Sequence, residues 1–397
     1  MLVLVAALLT HSSAFAQSSE REMAIPTQRM LNRFGLERAW SNQAMINPAR
    51  DTVRYITVDE ENVYVQTTAG AVTGFDTSSG RRLWAVQLGR RDQPSFPAVS
   101  NNNALLVPIG LHLYALNKFS GDVLWQLRLP KQPSTSPETD DDQVYIGTLD
   151  GSVFAYDLRT INRLHTENKL PRWSLEALRW RYKTAKQVTT PPISTGRVVI
   201  FASLDGSLYS VSTTVRDLHW QLETDEPISA PLAANNNYLF LAAEDLNIYC
   251  INKESGVVRW EFVSGFPVRI APRVIGDDIY VTPQRGGLFC LSATSGKQKW
   301  WRPNLVEFLA ATRTQIFSSD TVGNVVVLSR KDGSALGTLP LRSFSKRVAN
   351  DRTDRLVMAT QRGLVVCIRI QGEEFANFHM FPERRPLLPE FEPEPTK

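Results

Sequence analysis

Tryptophan recurs along this chain at positions 40, 84, 125, 180, 220, 260 and 300, at intervals of 44, 41, 55, 40, 40 and 40 residues. A near-constant period of about 40 residues marks a repeat architecture, and it restricts the fold more than any single motif does. Five of these tryptophans stand eight residues after a turn-forming side chain: Asp76 to Trp84, Asn117 to Trp125, Ser212 to Trp220, Asn252 to Trp260 and Ser292 to Trp300. Such side chains accept a bond from a backbone N–H about two residues on and hold a turn. A Ser-Gly pair follows in "SGRRLW" (79–84), "SGDVLW" (120–125), "SGVVRW" (255–260) and "SGKQKW" (295–300).

Upstream of each tryptophan lies a β-hairpin. In "VYIGTLDGSVFAYD" (144–157) two β-rich runs flank Asp150-Gly151, a tight-turn signal of the type I′ kind. "VVIFASLDGSLYSVS" (198–212) repeats it at Asp205-Gly206; Gly70 and Gly286 take the turn in the units at 62–76 and 279–292. The unit at 239–252 has no glycine there and must turn another way. Before each hairpin is a short strand marked by Pro97, Pro137, Pro192, Pro231 or Pro272. Each unit thus reads as four short strands. Four strands per 40 residues predict an all-β propeller of four-stranded antiparallel blades. The tryptophan column reads as structural, in preference to a ligand-stacking ladder, because one role then explains every member.

Two further units, 315–339 and 355–372, keep the hairpin without the tryptophan, and the second has no fourth strand. "FGLERAW" (34–40) supplies it: the N-terminal strand closes the last blade, which makes eight. Trp40 is then the seventh member of the blade-closing column.

The repeat, with its Asp-Gly hairpin, Ser-Gly turn and terminal Trp, resembles the PQQ-like propeller family. That family includes quinoprotein dehydrogenases and the non-catalytic propeller of bacterial outer-membrane barrel assembly. The resemblance covers about residues 34–372 and implies eight blades. It speaks to fold, because function resides in sites grafted onto such scaffolds. The dehydrogenase relatives imply PQQ, calcium, an Asp base and a disulfide between adjacent cysteines. This chain has no adjacent pair. Cys250, Cys290 and Cys367 fall in the column of Gly74, Ala115, Ala155 and Ser210, which asks for a small residue. The five histidines are scattered, and "DDD" (140–142) reads as a solvated turn because it lacks the alternating ligands of a calcium loop. No Gly-x-Ser-x-Gly, phosphate loop or His-Glu-x-x-His motif occurs. The chain reads as resembling the assembly-type propeller more than the dehydrogenases, with no catalytic, cofactor-binding or metal residue assigned.

The interval of 55 residues before Trp180 holds an insertion at about 159–179. Residues 159–186 carry eight Lys or Arg against Glu167 and Glu176. Arg163, Lys169, Arg172, Trp173, Arg179, Arg181 and Lys183 are the candidate partner-binding residues, and Ser174 with Glu176 and Ala177 predicts a short helix. The blander reading is a solvated loop on the blade rim. Loops converging on one end of the axis add Arg90, Arg91, Phe96, Arg269, Arg302, Glu307, Phe308, Lys346 and Arg347.

The apolar run "LVLVAALL" (2–9) before "AFA" (14–16) reads as a signal peptide over 1–16, followed by a linker over 17–33. No Cys precedes Cys250, so no lipid-modified N-terminal Cys is expected from this start. A Pro- and Glu-rich stretch, 373–397, reads as a disordered tail. The net charge is only +4, which does not by itself call for nucleic acid. The expected protein is an exported, monomeric, non-catalytic propeller of the periplasm or cell envelope. It binds protein or envelope components and meets a membrane, if at all, through a partner. The alternative is a PQQ-dependent oxidoreductase holding PQQ and calcium.

Overall fold

The computed structural model describes residues 25–170 and 174–379. The expected signal peptide at 1–16, Arg172 and Trp173, and the tail beyond residue 379 lie outside the described residues. Eight four-stranded antiparallel sheets follow one another, each in chain order except the last. Blade 1 runs from Val53–Val58 to Arg82–Gln87, blade 3 from Glu138–Thr139 to Leu178–Lys183, and blade 7 from Leu305–Ala311 to Ala335–Leu339. Blade 8 takes Lys346–Arg347, Leu356–Ala359 and Leu364–Ile370, and its outer strand is Leu36–Gln43. The expected eight-bladed propeller with N-terminal closure is the structure observed.

The two middle strands of each blade are sandwiched between neighbouring blades. Asn62–Thr67 and Ala71–Asp76 are buried almost throughout, which is why such strands read as nearly continuous apolar runs. The outer strand Arg82–Gln87 is buried at Trp84 and open to solvent at its ends.

The small-residue column has a direct cause. Each small residue pairs across the ladder with the tryptophan of its own blade: Gly74 with Trp84, Ala115 with Trp125, Ala155 with Trp180, Ser210 with Trp220, Cys250 with Trp260, Cys290 with Trp300 and Cys367 with Trp40. A Cβ at Gly74 would stand 2.5 Å from the Trp84 ring. On the other side of the small residue an aromatic ring often follows, so Tyr64, Tyr145, Phe240 and Tyr280 reach their tryptophans at centroid distances of 6.0–6.1 Å, or just beyond. The three cysteines are buried and free, as expected. Burial pushes all three thiols up to about 12, which leaves them protonated and unreactive at neutral pH.

Each tryptophan also reaches the next blade. Trp84 Nε1 donates to Lys118 O at 3.0 Å, Trp180 to Thr213 O at 3.0 Å, Trp220 to Lys253 O at 3.1 Å, Trp260 to Ala293 O at 3.0 Å and Trp300 to Arg330 O at 3.2 Å. Except at Trp180, whose neighbouring turn has no glycine, the glycine of that turn lies flat against the ring. A Cβ at Gly121 would come within 2.6 Å of Trp84, and one at Gly296 within 2.6 Å of Trp260. Trp40 makes the same contact across the closure, donating to Thr77 O at 2.7 Å with Gly80 under its ring. The extra residue in "FGLERAW" does not disturb this register. Every Trp strand of the repeat is bulged next to its tryptophan, and blade 8 bulges at the same place, between Arg38 and Trp40.

Blade 7 has Gly337 where the others have tryptophan, opposite the bulkier Val327. The Phe34 ring fills that place, so close that a Cβ at Gly337 would stand 2.5 Å from Phe34 Cε1. The linker expected over 17–33 is corrected in its described part. Helix α1 (Gln28–Asn32) buries Leu31 in the core shared by blades 7 and 8. The tail expected to be disordered from 373 is likewise ordered as far as His379. Phe378 is buried, and the His379 N–H donates to Arg352 O at 2.7 Å.

Two turn readings change. In the Asp150-Gly151 hairpin only Gly151 has positive φ, with its N–H donating to Thr148 O, so the turn is wider than the two-residue type I′ form. In blade 6 the positive-φ glycine is Gly287, after Arg285, and not Gly286. The hairpin without glycine turns on Leu246, at φ 73°. A branched residue there costs about 1–2 kcal/mol.

Three outcomes follow from this packing. Leu246→Gly should stabilise the protein by about 1 kcal/mol, seen as a higher denaturation midpoint. Deleting residues 34–46 should abolish cooperative unfolding, and Trp40→Ala should cost about 3–5 kcal/mol. A deletion that melts like the whole chain would refute closure by this strand.

Candidate functional site

The insertion in blade 3 is helical earlier than its sequence suggested. Helix α2 (Leu158–Thr166) begins directly after the blade strand, and a single 3-10 turn, Ser174–Ala177, matches the short helix expected at Ser174. Asp157, the turn residue of the repeat, has become an N-cap: its carboxylate accepts the Thr160 N–H at 2.7 Å. Leu158, Ile161 and Leu164 then face the blade and join the buried cluster that contains Trp125. They cover Trp125 where Trp40, Trp84, Trp220, Trp260 and Trp300 meet the glycine of a turn. Asn168, at φ 54°, ends the segment, and Lys169 N–H bonds back to Leu164 O.

The basic residues of this region meet acids, some in earlier strands of blade 3 and some within the insertion itself. Arg159 pairs with Asp142 at 2.8 Å, Arg179 with Asp157 at 2.7 Å and Arg181 with Asp150 at 3.3 Å. Arg163 reaches Glu167 at 3.3 Å, and Lys169 reaches Glu167 at 2.7 Å. Arg181 also lies 5.5 Å over the Phe154 ring. Burial pushes the Asp157 carboxyl up, but the bonds from Thr160 and Arg179 outweigh it and hold it below the usual carboxylate range. Lys183 lies at the end of the outer strand, its backbone opposite Ser152. The concentrated charge of the sequence is therefore largely paired, and exposed pairs of this kind contribute little stability.

The second concave feature is the axis. The first strands of six blades, with Pro191 just before that of blade 4, line an open cavity of about 560 Å³. Of the residues expected at the mouth, Glu307, Lys346 and Arg347 line it. Phe308 is buried against Tyr280 at 4.8 Å instead, and Arg269 pairs with Glu244 at 3.0 Å. Arg302 bonds to the carbonyls of Gly333 and Asp332. Arg90 and Arg91 are exposed on the loop between blades 1 and 2, and Phe96 is half-buried there. Sequence reasoning missed Arg54, Glu138, Arg273, Asp351 and Arg352, which complete the charged lining.

Within the cavity Arg273 pairs with Asp351 at 2.9 Å and Arg352 with Glu60 at 3.2 Å. Arg347 donates from Nε to Phe344 O at 2.9 Å and bonds to Ser319 and Gly323. Burial pushes Glu138 up to about 7, against the smaller pull of the Ser194 N–H and Arg352. Burial raises Glu307 too, despite Arg347 and Arg273. Calcium would require several converging oxygen donors. Among the described residues no group of three or more His, Cys, Asp or Glu converges to hold a metal, so the residues present do not fit the calcium site of the quinoprotein alternative.

A carboxyl whose pKa is higher folded than unfolded contributes most at low pH, and that contribution is lost as pH rises from about 4.5 to about 7. Glu138→Gln should therefore stabilise the protein by about 1–3 kcal/mol at pH 8 and leave it unchanged near pH 4. Denaturation series at the two pH values check this; equal shifts at both would refute it.

The model of the family described as outer membrane protein assembly factor BamB matches residues 68–176 and 216–392, well over half of the chain. Among solved structures, BamB from Moraxella catarrhalis superposes with a TM-score of 0.66 at 15% identity, covering 85% of this chain and 98% of that one. The computationally designed Ika8 protein superposes with a TM-score of 0.64 at 14% identity, covering 80% and 96%. At such identities the likeness shows the fold alone. No curated protein matches the chain. Among the described residues no helix is long and apolar enough to cross a membrane.

Proposed function

The chain belongs to the family of the outer membrane protein assembly factor BamB, and from that premise we propose that it is a non-catalytic, protein-binding scaffold in outer-membrane protein assembly. The observation that carries this reading is the family match over most of the propeller, joined to a ring whose blades are locked to one another on every side. A rigid ring presents its turns and inter-blade loops as a fixed surface, which suits recognition of other proteins. The signal-like segment at 1–16 supports export to the periplasm or cell envelope.

We assign partner contact to the blade 3 insertion, where helix α2 stands out from the regular repeat. Arg163, Lys169, Arg179, Arg181 and Lys183 surround it, with Arg172 and Trp173 in the adjoining stretch outside the described residues. Leu175, two-thirds exposed, adds an apolar contact beside them. Pairing with Asp157, Asp150 and Glu167 orients Arg179, Arg181, Arg163 and Lys169 without burying them.

Photocrosslinkers placed at positions 163, 169 and 175 in the whole chain, expressed in its cells, should capture one or a few envelope proteins reproducibly. Probes at Val215 and Val257, exposed on blades 4 and 5, should not capture them. No crosslinked protein from any of the three positions, or equal capture from the control positions, would overturn the assignment.

A further inference from the structure

The inner strands of blades 8 and 1 lie side by side at the axis, and each carries a cation into the lining of the cavity: Lys346 on Lys346–Arg347 and Arg54 on Val53–Val58. Neither makes an ion pair or side-chain hydrogen bond among the described residues, whereas Arg273, Arg347 and Arg352 in the same lining are engaged. Arg54 only lies 5.7 Å over the ring of its neighbour Tyr55. Two further polar atoms of the lining, Arg273 Nε and Thr57 Oγ1, are buried without a hydrogen-bond partner. Buried donors without partners are rare in native folds, and each such group points to an interaction not yet accounted for. A guanidinium matches a carboxylate in planar, bidentate fashion, and a nearby ammonium adds a point charge. The volume, about 560 Å³, lies within the usual range for small-ligand sites.

We propose that the axial cavity is a binding site for a carboxylate, held by Arg54 and Lys346 and reached by the free Nε of Arg273. A carboxylate, with one charge on each group, suits the lining better than a phosphate dianion, which concentrates two charges on one group, because Glu138 and Glu307 stand in the same wall and repel concentrated negative charge. Burial biases both of those side chains toward their neutral form, which lessens the repulsion. The carboxylate arrives either on a small dicarboxylic acid or as the C-terminus of an extended peptide. The site stands on the chemistry of the cavity and does not depend on the scaffold reading or on the blade 3 surface.

Calorimetric titration of the whole protein with succinate, with trialanine bearing a free C-terminal carboxylate, with C-terminally amidated trialanine and with inorganic phosphate tests the site. Succinate, free trialanine or both should bind with a Kd below about 1 mM, more tightly than phosphate, and more weakly as salt rises. Succinate alone assigns a small dicarboxylate; binding of trialanine that its amide lacks assigns a peptide terminus. Arg54→Ala with Lys346→Ala should weaken binding tenfold or more while the ligand-free melting temperature stays near that of the parent, since neither side chain has a partner to lose. Arg54→Lys, which keeps the charge, should recover part of the affinity of Arg54→Ala and guards against misfolding as the cause. No binding by either carboxylate, tighter binding of phosphate, equal binding by the amide and the acid, or unchanged affinity in the double variant would overturn the proposal.

Discussion

The structure depends on one contact repeated around a ring: a tryptophan clamped between two backbones. On its own blade the ring lies over a small residue, and on the next blade over a turn, where its Nε1 bonds a carbonyl. The contact makes three demands at once. It asks for a small residue in the third strand, for positive φ at the turn, and for the absence of a Cβ under the indole. Gly121 and Gly296 meet the last two together, which explains why the Ser-Gly pair travels with the Trp. A blade alone could not bury its two faces, so the clamp and the flanking inter-blade cores are the fold's stability in repeated form.

A ring of such contacts must be closed, and the departures from the repeat gather where closure occurs. Trp40 clamps blade 8 to blade 1 with the same geometry as the other junctions, although its strand comes from the start of the chain. Blade 7 breaks the pattern with Gly337, and Phe34 and helix α1 occupy the junction with blade 8. One short N-terminal stretch thus serves two neighbouring junctions. The C-terminal segment through His379 ties the same sector from outside the sheet, by bonds to Arg352 and Ala311.

Chemistry of possible functional use lies where the repeat is either interrupted or exposed to the axis. At blade 3 the turn became a helix, and Asp157 changed from holding a turn to capping α2 and anchoring Arg179. At the axis the inner strands bring together charges from blades 1, 3, 6, 7 and 8 that are hundreds of residues apart. Burial there shifts Glu138 strongly upward, while Asp157 of the rim, also buried, is held low by bonds from Thr160 and Arg179. Two buried carboxyls therefore shift in opposite directions, according to whether donors compensate the burial.

Periodicity alone determined the architecture. The 40-residue spacing, the small-residue column and the unpaired last hairpin were enough to count eight blades and to place Trp40 in the closing strand. These features are legible because they report local backbone geometry and repeat in every unit. Helix α2 was also written in the chain, as Asp157 followed by Leu158, Ile161 and Leu164, but the strong β pattern around it masked a signal only two turns long. Phe34 over Gly337, the pairing of the basic insertion with Asp142 and Asp150, and the place of Arg54, Arg273 and Arg352 at the axis could not be read in advance. The first and last join residues from separate blades, and only closing the ring fixes which of them meet; the pairs to Asp142 and Asp150 form within blade 3, where the strand pairing of the folded blade decides them. The chain by itself determined that a propeller forms and how it shuts; tertiary structure decided which charges stay paired, which stand free, and so where a ligand can be held.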